Sequence, residues 1–163
     1  MKHVDSNFEQ ADLQNKNFSD ANFVDANFRQ ANLTRAQFVR ATLMKADFTQ
    51  ANLRAAVFYE ADLIGSSFVE ADMIEAELER AQATNTNFSG VSLVRANLRH
   101  TDLTGANLSS ADLSKADLSF ANLSRANLNG AVLDGCKLKG AILTEIIANH
   151  ETLWPEGFDR NRY

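Results

Sequence analysis

The sequence predicts an all-β solenoid of square cross-section that turns a corner every five residues. Three observations carry this reading: a pentad frame that never slips, a small residue two places before each pentad's bulky centre, and a 20-residue spacing among the central phenylalanines. The frame is plainest at residues 111–130, where ADLSK ADLSF ANLSR ANLNG differ almost only at their last position. Stepping by five from Phe8 reaches Leu143 through 28 centres, 17 Leu and 9 Phe, with Met73 and Ala83 as the others. A fixed internal period of this kind is the signature of a repeat architecture.

Neither regular element can bury such a pattern. Five residues of α-helix turn the chain by about 500°, so successive centres would drift by ~140° and smear around every face. A flat strand alternates faces with period two, so an odd repeat would send successive centres to opposite sides. A chain that bends in every pentad keeps all centres inward, and so it must coil.

The centres also set the number of corners per lap. Six pairs of central Phe lie 20 apart (Phe8/Phe28, Phe18/Phe38, Phe28/Phe48, Phe38/Phe58, Phe48/Phe68, Phe68/Phe88), whereas only two lie 15 apart. Four pentads per lap therefore stack bulky side chains over one another, and the recurrence at 10 places the aromatics on two opposite walls. Two residues before the centre stands Ala in 21 of 28 pentads, the exceptions being Ser6, Lys16, Ser66, Thr86, Val91, Thr101 and Cys136. A second large side chain on each wall would overfill so narrow an interior. Between the two sits Asn, Asp or another small polar residue, which suits a turn because a short polar side chain hydrogen-bonds nearby backbone.

The A(D/N)LXX pattern resembles the pentapeptide-repeat proteins over most of the chain. That resemblance implies a right-handed quadrilateral parallel β-helix over residues 6–145, of about seven coils and, at ~4.8 Å per stacked strand, roughly 34 Å long. Residues 1–5 are expected to be a short lead-in that leaves the first coil poorly covered and open to end-to-end association. Residues 146–163 form a tail in which the pentad frame is lost. Ile146, Ile147, Leu153, Trp154 and Phe158 are expected to lie across the last coil as an apolar lid, since solenoid ends need caps. The TLWPEGFD stretch is similar to tails of cyanobacterial members of the family.

Composition narrows the function. With 163 residues, 45% hydrophobic residues and a net charge of -5, the chain reads as an ordered domain or rod. No Lys/Arg run marks a nucleic-acid or anionic-membrane footprint, and no apolar window approaches a membrane span. The first residues contain no apolar leader segment, so a cytoplasmic location is expected. The single Cys136 fits a reducing compartment.

The residues offer no chemistry of catalysis. His3, His100 and His150 are scattered, and no phosphate-binding, dinucleotide-binding, zinc-protease or calcium-roll motif occurs. Cys136 replaces an inward Ala and reads as a small buried hydrophobe. An enzyme, a cofactor and a metal site are therefore not expected. Ala83 is too small for a centre, and compensation by Phe88 is preferred to a local distortion.

What remains is the outer surface, where residues 20 apart are expected to be neighbours. Asp20, Arg40, Glu60 and Arg80 alternate in sign, Asp25 precedes Lys45, and Glu9 precedes Arg29, which reads as solvated charge ladders. Val24, Met44 and Ile64 form an apolar stripe, joined on the neighbouring face by Val39, Val57 and Tyr59. The corresponding C-terminal positions are Ser109, Ser114, Ser119 and Ser124. Such a stripe marks association with a protein partner or a second copy of the chain.

The acidic excess lies wholly in the first half, where Glu60, Asp62, Glu70, Asp72, Glu75, Glu77 and Glu79 form a belt. Quinolone-resistance members of the family imitate duplex DNA and engage DNA gyrase through acidic rods, so the resemblance implies gyrase as an alternative partner. Here the belt wraps about one coil, and the repeats carry no projecting insertion. Protein binding or scaffolding is the expected function, with regulation through protein contacts as what the resemblance implies; direct nucleic-acid or membrane binding is not expected.

Overall fold

The structure is a computed structural model and describes residues 6–159; the lead-in expected at 1–5 lies outside the described residues. Parallel bridges join each residue just before a centre to its counterpart 20 residues later, from Asn7 and Asn27 through Asn127 and Ile147. Four pentads thus complete one lap. Each side of the square contributes a single bridged residue and no longer strand, because the next corner arrives before a second residue can pair.

Three backbone hydrogen bonds tie a side to its neighbours. Phe28 N–H donates to the Asp47 carbonyl at 2.7 Å, Gln30 N–H to the Thr49 carbonyl at 3.0 Å, and Asp47 N–H to the Ala26 carbonyl at 2.9 Å. At the corner, Ala31 N–H donates to the Phe28 carbonyl at 3.1 Å. The third residue of that turn, Gln30, has φ of 56°, and the same left-handed conformation recurs at every corner from Gln10 to Glu145. A positive φ there matches a type II turn. Only Gly65, Gly90, Gly105, Gly130, Gly135 and Gly140 meet it without a Cβ; elsewhere residues as unsuited as Ala55 (φ 53°) are held in place by their N–H bond to the next lap.

Where Asn or Asp stands before a centre, its side chain closes the corner from outside, as the sequence predicts. Asn27 Oδ1 accepts the Arg29 N–H at 3.0 Å, Asp47 Oδ1 accepts the Thr49 N–H at 2.9 Å, and the bond recurs along the rod to Asn127 and Asn129. The residue that bridges two laps therefore also fixes the turn after it.

Inside, the phenylalanines form two stacks that meet edge to face. Phe28 lies parallel to Phe8 and to Phe48, each at 4.8 Å, while Phe38 from the opposite wall stacks on Phe58 at 5.0 Å. Phe28 and Phe38 cross at 81° with centroids 5.8 Å apart. Every centre from Phe28 to Leu133 is buried, Ala83 included, and the bridges run past Ala83 from Asp62 through Gln82 to Asp102 without a break. Hydroxyls at the small inward position are satisfied by backbone: Ser66 and Thr86 donate to the Leu63 carbonyl, and Thr101 to that of Leu78.

The two ends differ. Phe8, Leu13, Phe18 and Phe23, the centres of the first coil, are only half-buried, whereas the last centre, Leu143, is buried and the half-buried Ile146, Trp154 and Phe158 pack against the core beyond it. Pairing continues into the tail, where Ile147 bridges Asn127 and, after a one-residue insertion, Leu153 bridges Val132. Asn149 absorbs the insertion, its Oδ1 accepting N–H groups of Gly130 and Glu151 at 3.0 and 3.1 Å. Ile147 and Leu153 do not join the apolar lid. As bridge residues they point outward, 55% and 56% exposed.

Replacing Phe28 by Ala removes a ring from the middle of a stack, with neighbours above and below that cannot collapse into the space. Urea unfolding is expected to show a loss of about 3–5 kcal/mol. Phe8→Ala, at the half-buried end, is expected to cost less than half of that.

Candidate protein-binding surface

Each pentad turns three side chains outward: the bridge residue, the residue after the centre, and the corner residue. Bridges stack these columns in register along the rod. Val24, Met44 and Ile64 follow the bridged residues Asn22, Thr42 and Asp62, and so lie one above another. Val24 and Met44 are half-buried, and Ile64 is 36% exposed. On the adjoining side, Val39 and Tyr59 follow Gln37 and Val57, which bridge each other, and all three apolar residues are half-buried. The Tyr59 hydroxyl accepts a hydrogen bond from Arg80 at 3.2 Å, so this second column is polar along its lower edge.

The charge ladders form partly as the sequence predicts. Arg40 pairs with Asp20 at 2.8 Å and Arg80 with Glu60 at 3.7 Å, both 20 apart. Arg29, however, does not pair with Glu9. It reaches 18 residues onward to Asp47 at 2.9 Å, as Arg54 does to Asp72 at 3.0 Å and Arg99 to Asp117 at 3.6 Å. The residue after a centre leans across toward the bridge residue of the next lap, which makes the diagonal shorter than the vertical. Among the described residues Asp25 and Lys45 form no ion pair with each other. Partial burial pulls Asp47 and Asp117 upward, but hydrogen bonds from Thr49 and Ser119 and the cations Arg29 and Lys137 outweigh it and hold both carboxyls below their usual range.

The acidic belt is less naked than its composition implies. Arg80, Arg54 and Arg95 neutralise Glu60, Asp72 and Glu75, the last at 2.9 Å. Among the described residues Glu70 accepts an amide of Gln50 and no cation, and Glu77 and Glu79 share the amide of Asn97. Because every pentad is one side of the square, these carboxylates are spread around the rod and do not run along it.

One exposed aromatic has no counterpart in the sequence reading. Phe120 occupies a corner at φ 62° and is 45% exposed. Its ring lies parallel to His100 at 5.1 Å, with the Arg99 guanidinium 5.9 Å from its centroid. Its other flank covers Gly140, where an added Cβ would sit 2.6 Å from the ring. The 20-residue column His100, Phe120, Gly140 carried this signal: only a glycine below leaves room for the ring to lie flat.

Cys136 is buried, and burial, with Asp134 nearby, pushes its thiol up to about 12. Among the described residues no group of His, Cys, Asp and Glu side chains is arranged to hold a metal ion, and no helix is long and apolar enough to cross a membrane.

Family models for pentapeptide repeats match residues 92–130 and 111–147, and a pentapeptide repeat region matches residues 2–78. The chain belongs to the pentapeptide repeat family. Among solved structures it is similar to full-length QnrB1, a plasmid-mediated fluoroquinolone resistance protein, at 26% identity over 90% of this chain and 81% of that one, with a TM-score of 0.69. It is also similar to HetL, involved in heterocyst differentiation regulation in the cyanobacterium Nostoc sp. strain PCC 7120, at 25% identity over 92% and 91% of the two chains and a TM-score of 0.34. A pentapeptide repeat protein of the Arabidopsis thaliana thylakoid lumen matches at 28% identity over 67% and 69%, with a TM-score of 0.41. A search of curated protein sequences finds no match. The solved relatives imply that the square coil of this pentapeptide repeat protein is a right-handed quadrilateral β-helix.

The thiol of Cys136 is expected to resist alkylation in the folded protein at pH 8, where it is protonated and covered, and to react fully once guanidinium unfolds the chain. Mass spectrometry of iodoacetamide-treated protein checks both halves of that expectation.

Proposed function

We propose that this pentapeptide repeat protein is a non-enzymatic protein-binding scaffold, a cytoplasmic rod of about seven coils closed at one end by the tail that begins at residue 146. Its partner surface is the stripe of Val24, Met44 and Ile64 with Val39, Val57 and Tyr59 beside it, and the occupant is a protein partner or a second copy. The observation that supports this reading is the vertical register of Val24, Met44 and Ile64, an apolar column on a rod whose neighbouring corner charges Asp20, Arg40, Glu60 and Arg80 are paired. Contiguous apolar side chains at the surface are a mark of association, and a rigid solenoid holds them at fixed heights.

Changing Met44 and Ile64 together to Ser is expected to weaken capture of partners from the native host about ten-fold, with the far-ultraviolet circular dichroism unchanged. Capture that persists undiminished rejects the stripe.

A second reading, a DNA mimic directed at DNA gyrase, is supported by the likeness to QnrB1. Against it stand Arg54, Arg80 and Arg95, which neutralise three carboxylates of the belt formed by Glu60, Glu70, Asp72, Glu75, Glu77 and Glu79. In a supercoiling assay the scaffold reading expects no inhibition of gyrase and no protection from a fluoroquinolone at micromolar protein. Either effect favours the mimic.

A further inference from the structure

The side of the rod that carries Glu77, Asn97, Asp117 and Lys137 as successive bridged residues has a charge distribution that ion pairing among the described residues does not cancel. At its upper end Glu77 and Glu79 share one neutral amide, that of Asn97, at 2.8 and 3.3 Å. At its lower end a single carboxylate, Asp117, faces two cations, Arg99 at 3.6 Å and Lys137 at 3.3 Å. Lys139, exposed just below, makes no ion pair among the described residues. Two unmatched negative charges therefore stand above two unmatched positive charges on one side, with the exposed edge of Phe120 at its corner.

We propose that this side is a self-association surface on which a second copy of the chain docks antiparallel. A two-fold axis lying across the rods, midway between the Leu98 and Leu118 levels, exchanges the level of Glu77 with that of Lys137. Lateral position is preserved under that rotation, so Glu77 opposes the partner's Lys137 and Glu79 opposes the partner's Lys139, and symmetry makes each contact twice. The same rotation sets Phe120 beside the partner's His100. Other registers lose this match: an axis at the Leu118 level sets Arg99 against the partner's Lys139, and parallel rods, which keep the level and reverse lateral position, turn Glu77 toward the partner's Glu79 and Lys137 toward the partner's Lys139. Opposition of like charges is what suppresses the wrong arrangements.

The matched region spans four levels, about 14 Å of rod between the first and the last. It is small for a protein interface and rests on exposed charges, so the dimer is weak and salt-sensitive. Met44 and Ile64 lie on the adjoining side, whereas Val39, Val57 and Tyr59 share this side but sit one and two laps above Glu77, outside the four matched levels.

Sedimentation equilibrium of the full chain tests the proposal with two reversed variants, Glu77→Lys/Glu79→Lys and Lys137→Glu/Lys139→Glu. The wild type is expected to dimerise at low ionic strength and dissociate as salt is raised. Each variant alone is expected to bind itself at least ten-fold more weakly. An equimolar mixture of the two restores opposite charges at every contact and is expected to dimerise again, which also guards against misfolding of either variant. Met44→Ser/Ile64→Ser is expected to leave the dimer intact. A wild type that stays monomeric, reversals without effect, a mixture that fails to associate, or a dimer abolished by the stripe variant overturns the proposal.

Discussion

The constraint on which the molecule depends is that equivalent residues one lap apart are held by parallel backbone bridges at the spacing of adjacent strands, about 4.8 Å. That distance is also a comfortable separation for parallel aromatic rings, and the Phe28 ring rests 4.8 Å from those of Phe8 and Phe48. The backbone and the core therefore favour the same geometry, the kind of agreement between levels that gives a sequence a single fold. From that one spacing the rest follows. Four walls that each contribute a Leu or Phe leave space for little more than Ala beside them, and a wall this short forces a left-handed residue at every corner.

Outside the coil the same regularity becomes a ruler. An outward residue's height is set by its lap and its direction by its place in the pentad, so charge and apolarity are laid out on the surface almost as they are written in the chain. The column of Val24, Met44 and Ile64 and the charge-separated side from Glu77 to Lys139 are both products of that rule. Local pairing then decides what remains for a partner. Arg54, Arg80 and Arg95 quiet much of the acidic belt, whereas the two carboxylates beside Asn97 and the ammonium of Lys139 meet no opposite charge among the described residues.

Much of this is legible in the sequence. The 20-residue spacing of the phenylalanines specified the lap, and the Asn and Asp before the centres announced the turns, because both are consequences of packing and short-range hydrogen bonding that residue types report directly. The left-handed corner is legible only in part: six of the seven glycines stand there and no Val, Ile or Thr does, yet residues as different as Ala55, Phe120 and Arg125 also occupy it, under a conformation imposed by the laps above and below. The diagonal reach of Arg29 to Asp47 in place of Glu9 depends on which way a side chain leans across the corner, a property of three-dimensional shape. Of the expected lid, the inward Ile146, Trp154 and Phe158 pack on the core, while Ile147 and Leu153 turn out, because pairing continues through the tail after a single inserted residue.

The most direct measurement is an electron-density map from crystals of the protein, read at the aromatic core. The account requires the ring of Phe28 to lie flat between those of Phe8 and Phe48, with Asn27 bridged to Asn7 on one side and to Asp47 on the other. A map in which Phe28 is flanked by centres 15 residues away, or by none, contradicts the four-sided coil and every surface built upon it.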